Sequence, residues 1–584
     1  MERNGKRIIG REPAGRAGRR FSLTRMQKWG INLAMEMPTS TPSQIGVRER
    51  WLTTALLGLG LITFAIDASN TQLILPQIMT SLRVELYEIH WILTAPGIAR
   101  TVVIAATGWL SGWLGPRTLY LICVGSMTMG SLGSMLAWDW PSLVFFRIVA
   151  GVGGGMIPQI SQAIFYQIFP PGRRGMALGF ALMGWSIGPA FGPLMGGNLL
   201  ELASWRVVYT MTLPLSGLGF ILAWWWLPYL GRPERRRLDY YGALTMAVAV
   251  STLLLALSQG NREGWDSQYI LTLLAIAGVA AVAFVVVELC HPEPLVELRL
   301  FGSVPFIMAM AVMFLTTMTF RGTGPMIGVL MQRLLGFGPL LVAWAQMPPN
   351  LIYGAAVLLV GRLSDRFPTY VLVISGLLIY AAVFVGFTGI NEVTTLGMFM
   401  TFLIARFIAE AFIVSPNNLA TLEALPESQV YMATALSGLL RSIANTLGTA
   451  VATVVWDQRY THHLQHFAEN TPLDASGLTA ALSGWQQTLR WSGEMAAQIP
   501  TQTMALLQDR LLAEASTAAW QEYFLFNALL AILCLFPALP CWRRTKYQAP
   551  TTPQAVAVPA RSAATSNGIP TPQASRHDNP ARTS

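Results

Sequence analysis

Charged residues are scarce in this chain of 584 residues. Asp, Glu, Lys and Arg together make up 12% of it and hydrophobic residues make up 53%, whereas soluble domains are roughly 25% charged. This composition excludes an ordinary soluble domain and indicates a membrane protein. The net charge of +10 arises from basic residues in short runs between apolar segments. Because these residues form no continuous basic stripe, we expect no nucleic-acid binding.

The sequence also lacks several motifs, and each absence argues against a class of site or activity. The four cysteines never show the two-residue spacing of metal or redox pairs, so we expect them to be packing residues. The basic first 50 residues contain no apolar core, which predicts that no cleavable signal peptide precedes the first apolar segment. No phosphate-binding G-x-x-x-x-G-K-[ST] loop is present, and we expect no cofactor, no metal site and no enzyme activity. The sequence thus gives no indication of a process driven by nucleotide hydrolysis.

Apolar segments of about 18 to 25 residues, long enough to cross a bilayer as helices, recur along the chain with short polar breaks. They lie near residues 52–76, 89–110, 118–137, 142–165, 176–199, 206–228, 240–258, 270–289, 304–330, 338–360, 369–389, 395–416, 432–455 and 521–542. The pattern therefore predicts an all-α membrane protein with about fourteen transmembrane helices.

Basic residues next to the spans indicate the orientation, because cytoplasmic loops are enriched in Lys and Arg. With an even number of spans, the basic groups all fall on one side of the membrane. These groups are the N-terminal tail, Arg173 with Arg174, the Arg232–Arg237 run, Arg362 with Arg366, and Arg543 with Arg544. We therefore expect a multi-pass protein of the inner (plasma) membrane with both termini in the cytoplasm.

Internal similarity divides the chain into two halves. The motif from Gly108 to Trp113 is echoed from Gly361 to Arg366, and Arg147 before Pro158 is echoed by Arg406 before Pro416. Duplicated bundles with a site between them are a recurrent transporter plan. We predict two six-helix bundles plus two additional helices: a basic cytoplasmic N-terminus (1–50), a first bundle (51–230), a two-helix insert with a linker (231–300), a second bundle that includes a periplasmic loop at 457–520 (301–545), and a disordered cytoplasmic tail (546–584).

The stretch WSIGPAFGPLMGG, residues 185–197, places glycine and proline inside an apolar run of helix length. Small residues let helices approach closely in lipid, and proline bends them. We therefore predict a tightly packed, bent helix at a moving seam, with a static packing face as the alternative. The gating candidates are Gly184, Gly188, Pro189, Gly192, Pro193, Gly196 and Gly197.

This stretch resembles the fifth-helix antiporter motif of the major facilitator superfamily, in its fourteen-span drug:proton antiporter branch of the EmrB/QacA type. Further motifs similar to that branch are DASNTQLILP from Asp67, RIVAGVGGG from Arg147, SWR at 204–206, the segment from Asp239 to Trp265, and GLLRSIANTLG at 438–448. The resemblance covers about residues 51–545. It implies the major facilitator fold and export of drugs or other small organic compounds in exchange for protons. It also leaves open a partnership with a periplasmic adaptor and an outer-membrane channel.

The chain departs from the family pattern in the loop after the second span. Gly112 and Trp113 stand where an Asp and a basic residue are usual, whereas the second copy, Asp365 with Arg366, is intact. We therefore expect Asp365 and Arg366 to control gating in the second half, and gating control in the first half is in doubt.

Ionisable residues in the middle of a span cost about 2.5 to 3.5 kcal/mol each, so they usually face a cavity or a partner. Asp67 lies near the middle of the first span, where burial favours the neutral carboxyl, and it is the first candidate for the proton carrier. The alternative is a structural Asp permanently paired with Asn70 or an Arg. Glu410 is the second candidate, with a simple ion pair to Arg406, four residues earlier, as the alternative.

Further arginines lie within the spans. Arg147 resembles the membrane-embedded Arg of the family's fourth-span motif, which implies that it tunes a neighbouring acid, and snorkelling to the headgroups is the alternative. Arg100, Arg321 and Arg406 are candidates for the substrate cavity. Cations in a central cavity favour an anionic or weak-acid substrate, and pairing with the two acids is equally compatible with the sequence.

His462, His463 and His466 form an H-H-x-x-H cluster in the periplasmic loop. Two histidines one helical turn apart suit a metal, but no carboxylate or Cys completes a persuasive ligand set. We expect a polar helix that faces an adaptor protein.

Together these features predict a proton-coupled secondary transporter that exports small organic compounds by alternating access. Its partners are then the substrate, protons and the lipid bilayer. One alternative is an importer or uniporter of a small organic anion on the same fold. A membrane-embedded enzyme and a non-transporting scaffold are alternatives from other classes, and the mid-span ionisable residues disfavour the scaffold.

Overall fold

The computed structural model describes residues 46–89, 91–202, 204–230, 239–291, 293–391, 394–470, 476–491 and 498–539. Within these ranges every regular element is a helix, as the sequence predicts. The predictions for the basic N-terminal tail, the Arg232–Arg237 run and the C-terminal tail lie outside the described residues.

The first half of the molecule contains six long helical segments and three short connecting or broken pieces. These helices are α1 (Val47–Leu73), α2 (Leu75–Leu82), α3 (Leu86–Ile89), α4 (Trp91–Leu114), α5 (Pro116–Met135), α6 (Trp140–Ile168), α7 (Arg174–Leu202), α8 (Trp205–Thr210) and α9 (Thr212–Trp226). The predicted sixth span is thus divided at Met211 into α8 and α9.

Two insert helices and a second half follow. The insert consists of α10 (Tyr240–Glu263) and α11 (Gln268–Cys290). The second half consists of α12 (Val304–Arg333), α13 (Pro339–Ser364), α14 (Thr369–Phe387), α15 (Leu396–Glu423), α16 (Val430–Asn470), α17 (Ser476–Trp491), α18 (Ile499–Leu533) and α19 (Leu535–Ala538). Much of the predicted loop at 457–520 is therefore helical, because α16 and α18 extend into it and α17 lies between them.

Thirteen helical segments in the described part of the chain are long and apolar enough to cross a membrane. The predicted tenth span, α13, is not among them although it has 26 residues. Gln346, Pro348, Pro349 and Asn350 interrupt its apolar sequence. α13 packs between α7 and α15, which bury Pro349 and Asn350 and half-bury Gln346, so that neighbouring helices cover much of this polar interruption. Together with α13, the thirteen segments occupy the fourteen predicted positions.

The glycine face of α7 packs against α1. A Cβ atom at Gly188 would overlap the backbone of Ala65, and one at Gly192 would lie 2.9 Å from Ser69 Cβ. α7 remains one continuous helix through both of its prolines. The tight packing that the sequence predicts is present, but this face lies inside the first half, against the segment that carries Asp67. The contact of Gly188 and Gly192 is internal to one bundle, although α7 also packs along α13 of the other half, and the moving seam stays a prediction.

We expect Gly188→Val to destabilise the protein, because the new side chain would collide with α1. Overpacking of this kind typically costs about 1 to 3 kcal/mol. Gly197→Val is the matched control on the same helix, since a Cβ at Gly197 meets nothing within 4 Å. Thermal unfolding of both purified variants in detergent checks this expectation. Equal unfolding temperatures for the two variants would contradict the packing described here.

The two halves meet where α7 begins and α13 ends. Both carboxylate oxygens of Asp365 accept hydrogen bonds from the start of α7, from the Gly175 N–H at 2.7 Å and the Met176 N–H at 3.0 Å. A Cβ at Gly175 would overlap the carbonyl oxygen of Gly361. Asp365 therefore caps a helix of the opposite half, which satisfies two N–H groups that a helix start leaves free.

A second contact between the halves joins α4 and α6 to α16. The hydroxyls of Thr101 and Ser442 lie 2.5 Å apart, and the Tyr431 hydroxyl donates to Gln167 Oε1 at 3.0 Å. Near this contact the Arg174 guanidinium pairs with Glu427. Tyr431, Gln167, Arg174 and Glu427 hold the halves together on the side that carries the Asp365 loop, which we call the closed side, whereas Thr101 contacts Ser442 near the middle of α4.

The opposite ends of α7 and α13 lie apart from such contacts. A Cβ at Gly338, just before α13, would meet nothing within 4 Å. In the first turns of α13, Leu340 and Trp344 are 51% and 50% exposed, and Met195 near the end of α7 is 47% exposed. Contacts between the halves thus lie on the Asp365 side, and we call the opposite end, which carries these exposed residues, the open side.

Candidate functional site

A buried ion pair joins α1 and α6. Arg147 Nη1 lies 2.8 Å from Asp67 Oδ1, and the two side chains are 3% and 5% exposed. An Asp139 cap, which accepts the Ser142 N–H at 2.9 Å, fixes the start of α6 and so the position of Arg147. Arg147 therefore does not snorkel to the headgroups, and of the two partners named in the structural alternative for Asp67 the structure shows an arginine.

Neighbouring groups complete the surroundings of this pair. The Arg147 guanidinium carbon lies 5.3 Å from the centre of the Tyr209 ring. Asn70 is buried one turn after Asp67, and its amide contacts the Met211 sulfur at 3.7 Å. Asn70 Oδ1 has no hydrogen-bond partner among the described residues, which leaves one polar atom free beside the pair.

Arg100 of α4 lies close to the same pair. Its guanidinium carbon lies 4.7 Å from the centre of the Phe64 ring, and the charges of Asp67 and Arg147 both act on it. The structure gives Arg100 no ion pair or hydrogen bond to any residue that it describes, and its Nε is buried without a partner. The predicted residues Asp67, Arg147 and Arg100 therefore form one cluster with a surplus cation.

In the second half, the expected ion pair between Arg406 and Glu410 is absent. Arg406 is buried and donates from Nη2 to the Phe320 carbonyl oxygen of α12 at 3.0 Å. Glu410 is half-buried, and no cation among the described residues lies within ion-pair distance of it. Arg406 occupies the place of Arg147 in the repeat, but α12 offers it a carbonyl oxygen in place of an acid.

Arg321 crosses the space between the halves. It is exposed in the middle of α12, and its guanidinium carbon lies 6.0 Å from the centre of the Trp185 ring on α7. The charges of Arg321 and Arg406 both act on Glu410. The structure therefore brings all three predicted cavity arginines close to an acid, although none of them pairs directly with one.

Sequence reasoning missed Arg441 of α16. Its Nη2 donates to Asn418 Oδ1 at 2.6 Å, and its charge acts with those of Arg321 and Glu410 on the buried Tyr353 of α13. The residue was visible within GLLRSIANTLG, where a charge in an otherwise small and apolar run is a usable signal. We call the space bordered by Arg100, Trp185, Arg321, Glu410 and Arg441 the central cleft.

The remaining site candidates lie at the two ends of the molecule. Asp365 caps α7 as described above, and Arg366 beside it is exposed. At the other end, His463 Nε2 lies 3.1 Å from Glu522 on α18. Among the residues that the structure describes, no group of three or more His, Cys, Asp or Glu side chains is placed to hold a metal ion. The histidine cluster instead contributes to the contact between α16 and α18.

Comparison with known proteins agrees with this arrangement of helices. The sequence profile described as "Major Facilitator Superfamily" matches residues 57–449, which is more than half of the chain. The chain belongs to the major facilitator superfamily. Because this family consists of transporters, the prediction of a transporter and not an enzyme is confirmed, as is the predicted fold.

Curated relatives of this superfamily member include export proteins. The multidrug export protein EmrB of Escherichia coli K12 is 27% identical over 492 residues, which cover 82% of this chain and 94% of EmrB. The fatty acid resistance protein FarB of Neisseria gonorrhoeae is 25% identical and covers 85% of this chain and 96% of FarB. The uncharacterised transporter YhcA of Bacillus subtilis is 26% identical and covers 70% and 77%. The resemblance to EmrB-type proteins is thus confirmed.

A solved structure shares the fold of this facilitator. The human organic anion transporter MFSD10 (TETRAN) aligns with a TM-score of 0.55 at 14% identity, over 85% of this chain and 100% of that one. At this level of identity the likeness concerns the fold alone.

Proposed function

We propose that this facilitator exports small organic compounds in exchange for protons. The buried pair of Asp67 and Arg147 is the single observation that carries the proposal. A carboxylate in the middle of a span is the residue type that proton-driven transporters use as a carrier. Its salt bridge to another helix gives proton uptake a structural consequence, because a neutral Asp67 no longer holds Arg147.

Proton uptake is coupled to transport if the proton affinity of Asp67 depends on the side of the membrane to which the cleft opens. With the cleft open on one side, a proton that enters there competes with Arg147 for Asp67. Protonation leaves Arg147 without its counter-ion, which favours a conformation in which the two halves have moved. Because coupling free energies are reciprocal, a substrate that favours one conformation also changes the proton affinity of Asp67 in that conformation. Glu410, which is half-buried and forms no ion pair with a described residue, is the second carrier in this proposal.

In this proposal, α7 links the gate at the closed side to the proton carrier. Asp365, with Arg366 beside it, closes one side of the cleft by capping α7 in the opposite half. The glycine and proline face of α7 transmits this movement to α1 and Asp67, against which it packs. A change at the closed side therefore reaches the proton carrier through one continuous helix.

We assign the closed side to the cytoplasmic face of a bacterial inner membrane. It carries Arg173, Arg174, Arg362 and Arg366, and Lys and Arg are enriched on the cytoplasmic side of membrane proteins. The conformation is then open to the outside, and both termini lie in the cytoplasm. We also propose the domain boundaries that the sequence predicts.

We propose that the open side binds a periplasmic adaptor. α16, with 41 residues, is about 60 Å long at 1.5 Å per residue, twice the roughly 30 Å thickness of the hydrocarbon core. Arg459 and His463 of α16 both contact Glu522 of α18, at 3.2 Å and 3.1 Å. The two helices thus form a supported extension on the open side, and the relatives named EmrB suggest an adaptor as its partner.

Proton flux in proteoliposomes tests the proposal. Purified protein is reconstituted with a pH-sensitive dye inside, and gradients of permanently charged cations and sulfonates are imposed, since these compounds cannot carry protons passively. We expect a substrate gradient to drive proton movement in the opposite direction. Protein-free vesicles are the control. Substrate movement without any proton flux would overturn exchange and leave uniport, whereas movement of both in the same direction would indicate an importer.

A further inference from the structure

Aromatic rings and arginines alternate across the central cleft. Arg321 of the second half lies 6.0 Å from the Trp185 ring, and Trp185 lies 5.1 Å from Phe64 of α1. Arg100 lies 4.7 Å from the other ring, Phe64. The order is therefore cation, ring, ring, cation, and it runs from one half of the molecule to the other.

The cations of this series lack anionic partners among the residues that the structure describes. Neither Arg100 nor Arg321 forms an ion pair or hydrogen bond with any residue that the structure describes. Arg406 and Arg441 each donate to a neutral group, a backbone carbonyl and an Asn side chain, and Arg406 Nε is buried without a partner among the described residues. The charges of Arg321, Arg406, Arg441 and Glu410 all act on Tyr353, so three cations and one carboxylate share this region.

Such an excess of positive charge within spans is costly unless something offsets it. Asp67 is not available, because it is already paired with Arg147. A bound anion would offset the excess and would gain charge-assisted hydrogen bonds from guanidinium groups, which suit carboxylate and sulfonate oxygens. Trp185 is half-buried and offers a ring face to an aromatic body.

We propose that the central cleft binds amphipathic aromatic anions, with a carboxylate or sulfonate group at Arg321 and the aromatic body against Trp185. Arg100 is the second cation of the site, at the far end of the ring pair. This inference rests on the proposed function in that it names the substrate class of the same cleft. It concerns binding, however, and does not depend on whether protons drive the transport.

Equilibrium binding to the full chain in lipid nanodiscs tests the proposal separately from transport. The probes are naphthalene-2-sulfonate, the neutral 2-naphthalenemethanol and the cation (2-naphthylmethyl)trimethylammonium, which share one ring system and differ in charge. We expect the sulfonate to bind most tightly. Arg321→Gln should weaken its binding by roughly 10- to 100-fold, the range expected for a lost charge-assisted hydrogen bond, and leave the neutral probe unchanged.

Two variants separate charge from packing. Arg321→Lys keeps the cation and should retain most of the affinity for the sulfonate. Arg262→Gln removes a half-exposed arginine at the end of α10 and should have no effect. If Arg321→Gln does not fold, two other measurements test the proposal. These are the affinity of Arg100→Gln for the sulfonate and the order of the three probe affinities on the wild-type chain. Equal or tighter binding of the cation, or sulfonate binding unchanged in both Gln variants, would overturn the proposal.

The two proposals fail in different ways. If the sulfonate binds through Arg321 but its transport moves no protons, the anion site stands and proton exchange falls. If cations bind and exchange with protons, exchange stands and the anion site falls.

Discussion

Replacing both members of the buried pair, Asp67→Asn with Arg147→Gln, is expected to yield a folded transporter that no longer couples protons to substrate. Removing both charges leaves no uncompensated ion in the span. The single change Asp67→Asn leaves Arg147 buried without a counter-ion, which typically costs about 3 to 5 kcal/mol. The double variant should therefore unfold at a higher temperature than the single one, while proton flux is lost in both.

Unfolding and proton flux are measured on the same preparations, so that loss of coupling can be distinguished from loss of protein. Glu410→Gln is the matched control for stability, because Glu410 is a mid-span carboxyl without an ion pair. We expect its unfolding free energy to change by less than about 1 kcal/mol, as for other changes that break no buried network. Proton flux that persists in the double variant would show that Asp67 is not the carrier.

Gly175→Val is expected to prevent the closed side from closing and to abolish transport. A Cβ at Gly175 would overlap the Gly361 carbonyl oxygen and lie 2.9 Å from the Asp365 carboxylate. A valine side chain would push α7 away from α13 and break both capping hydrogen bonds. Because both neighbours are backbone or capping atoms, the contact has little room to adjust.

Distances between spin labels on the exposed residues Pro171 and Phe367 measure the separation of the halves at the closed side. We expect the distance to lengthen in Gly175→Val and to match wild type in Gly197→Val, which changes the far end of the same helix. A distance unchanged in Gly175→Val, with transport retained, would mean that this contact does not gate the cleft.

The span pattern and the family motifs were accessible from the sequence because lipid imposes a length and an apolar composition on each helix. The same holds for Asp67 and Arg147, since a charge within an apolar run is visible without coordinates. α13 shows the limit of hydropathy: its central Gln346 and Asn350 are tolerated because neighbouring helices cover them, which composition cannot reveal.

Partner choice depended on three-dimensional packing. Spacing favoured a pair between Arg406 and Glu410, four residues apart, but Arg406 donates to Phe320 on a neighbouring helix. The glycine face of α7 suggested a moving seam without naming its neighbours: Gly188 and Gly192 pack against α1, while the contact between the halves uses Gly175, the second residue of α7. Periodicity identifies a face of a helix but does not identify the neighbour that covers it.

The sequence by itself determined that this chain is an all-helical membrane transporter with acids and arginines inside its spans. Its apolar segments, their length and their duplicated motifs suffice for that, because each is a local property of the chain. Only the tertiary structure decided that Asp67 pairs with Arg147, that Arg321 of one half reaches Trp185 of the other, and that Asp365 caps α7 in the opposite half. These contacts join residues far apart in sequence, and helix packing alone sets their distances.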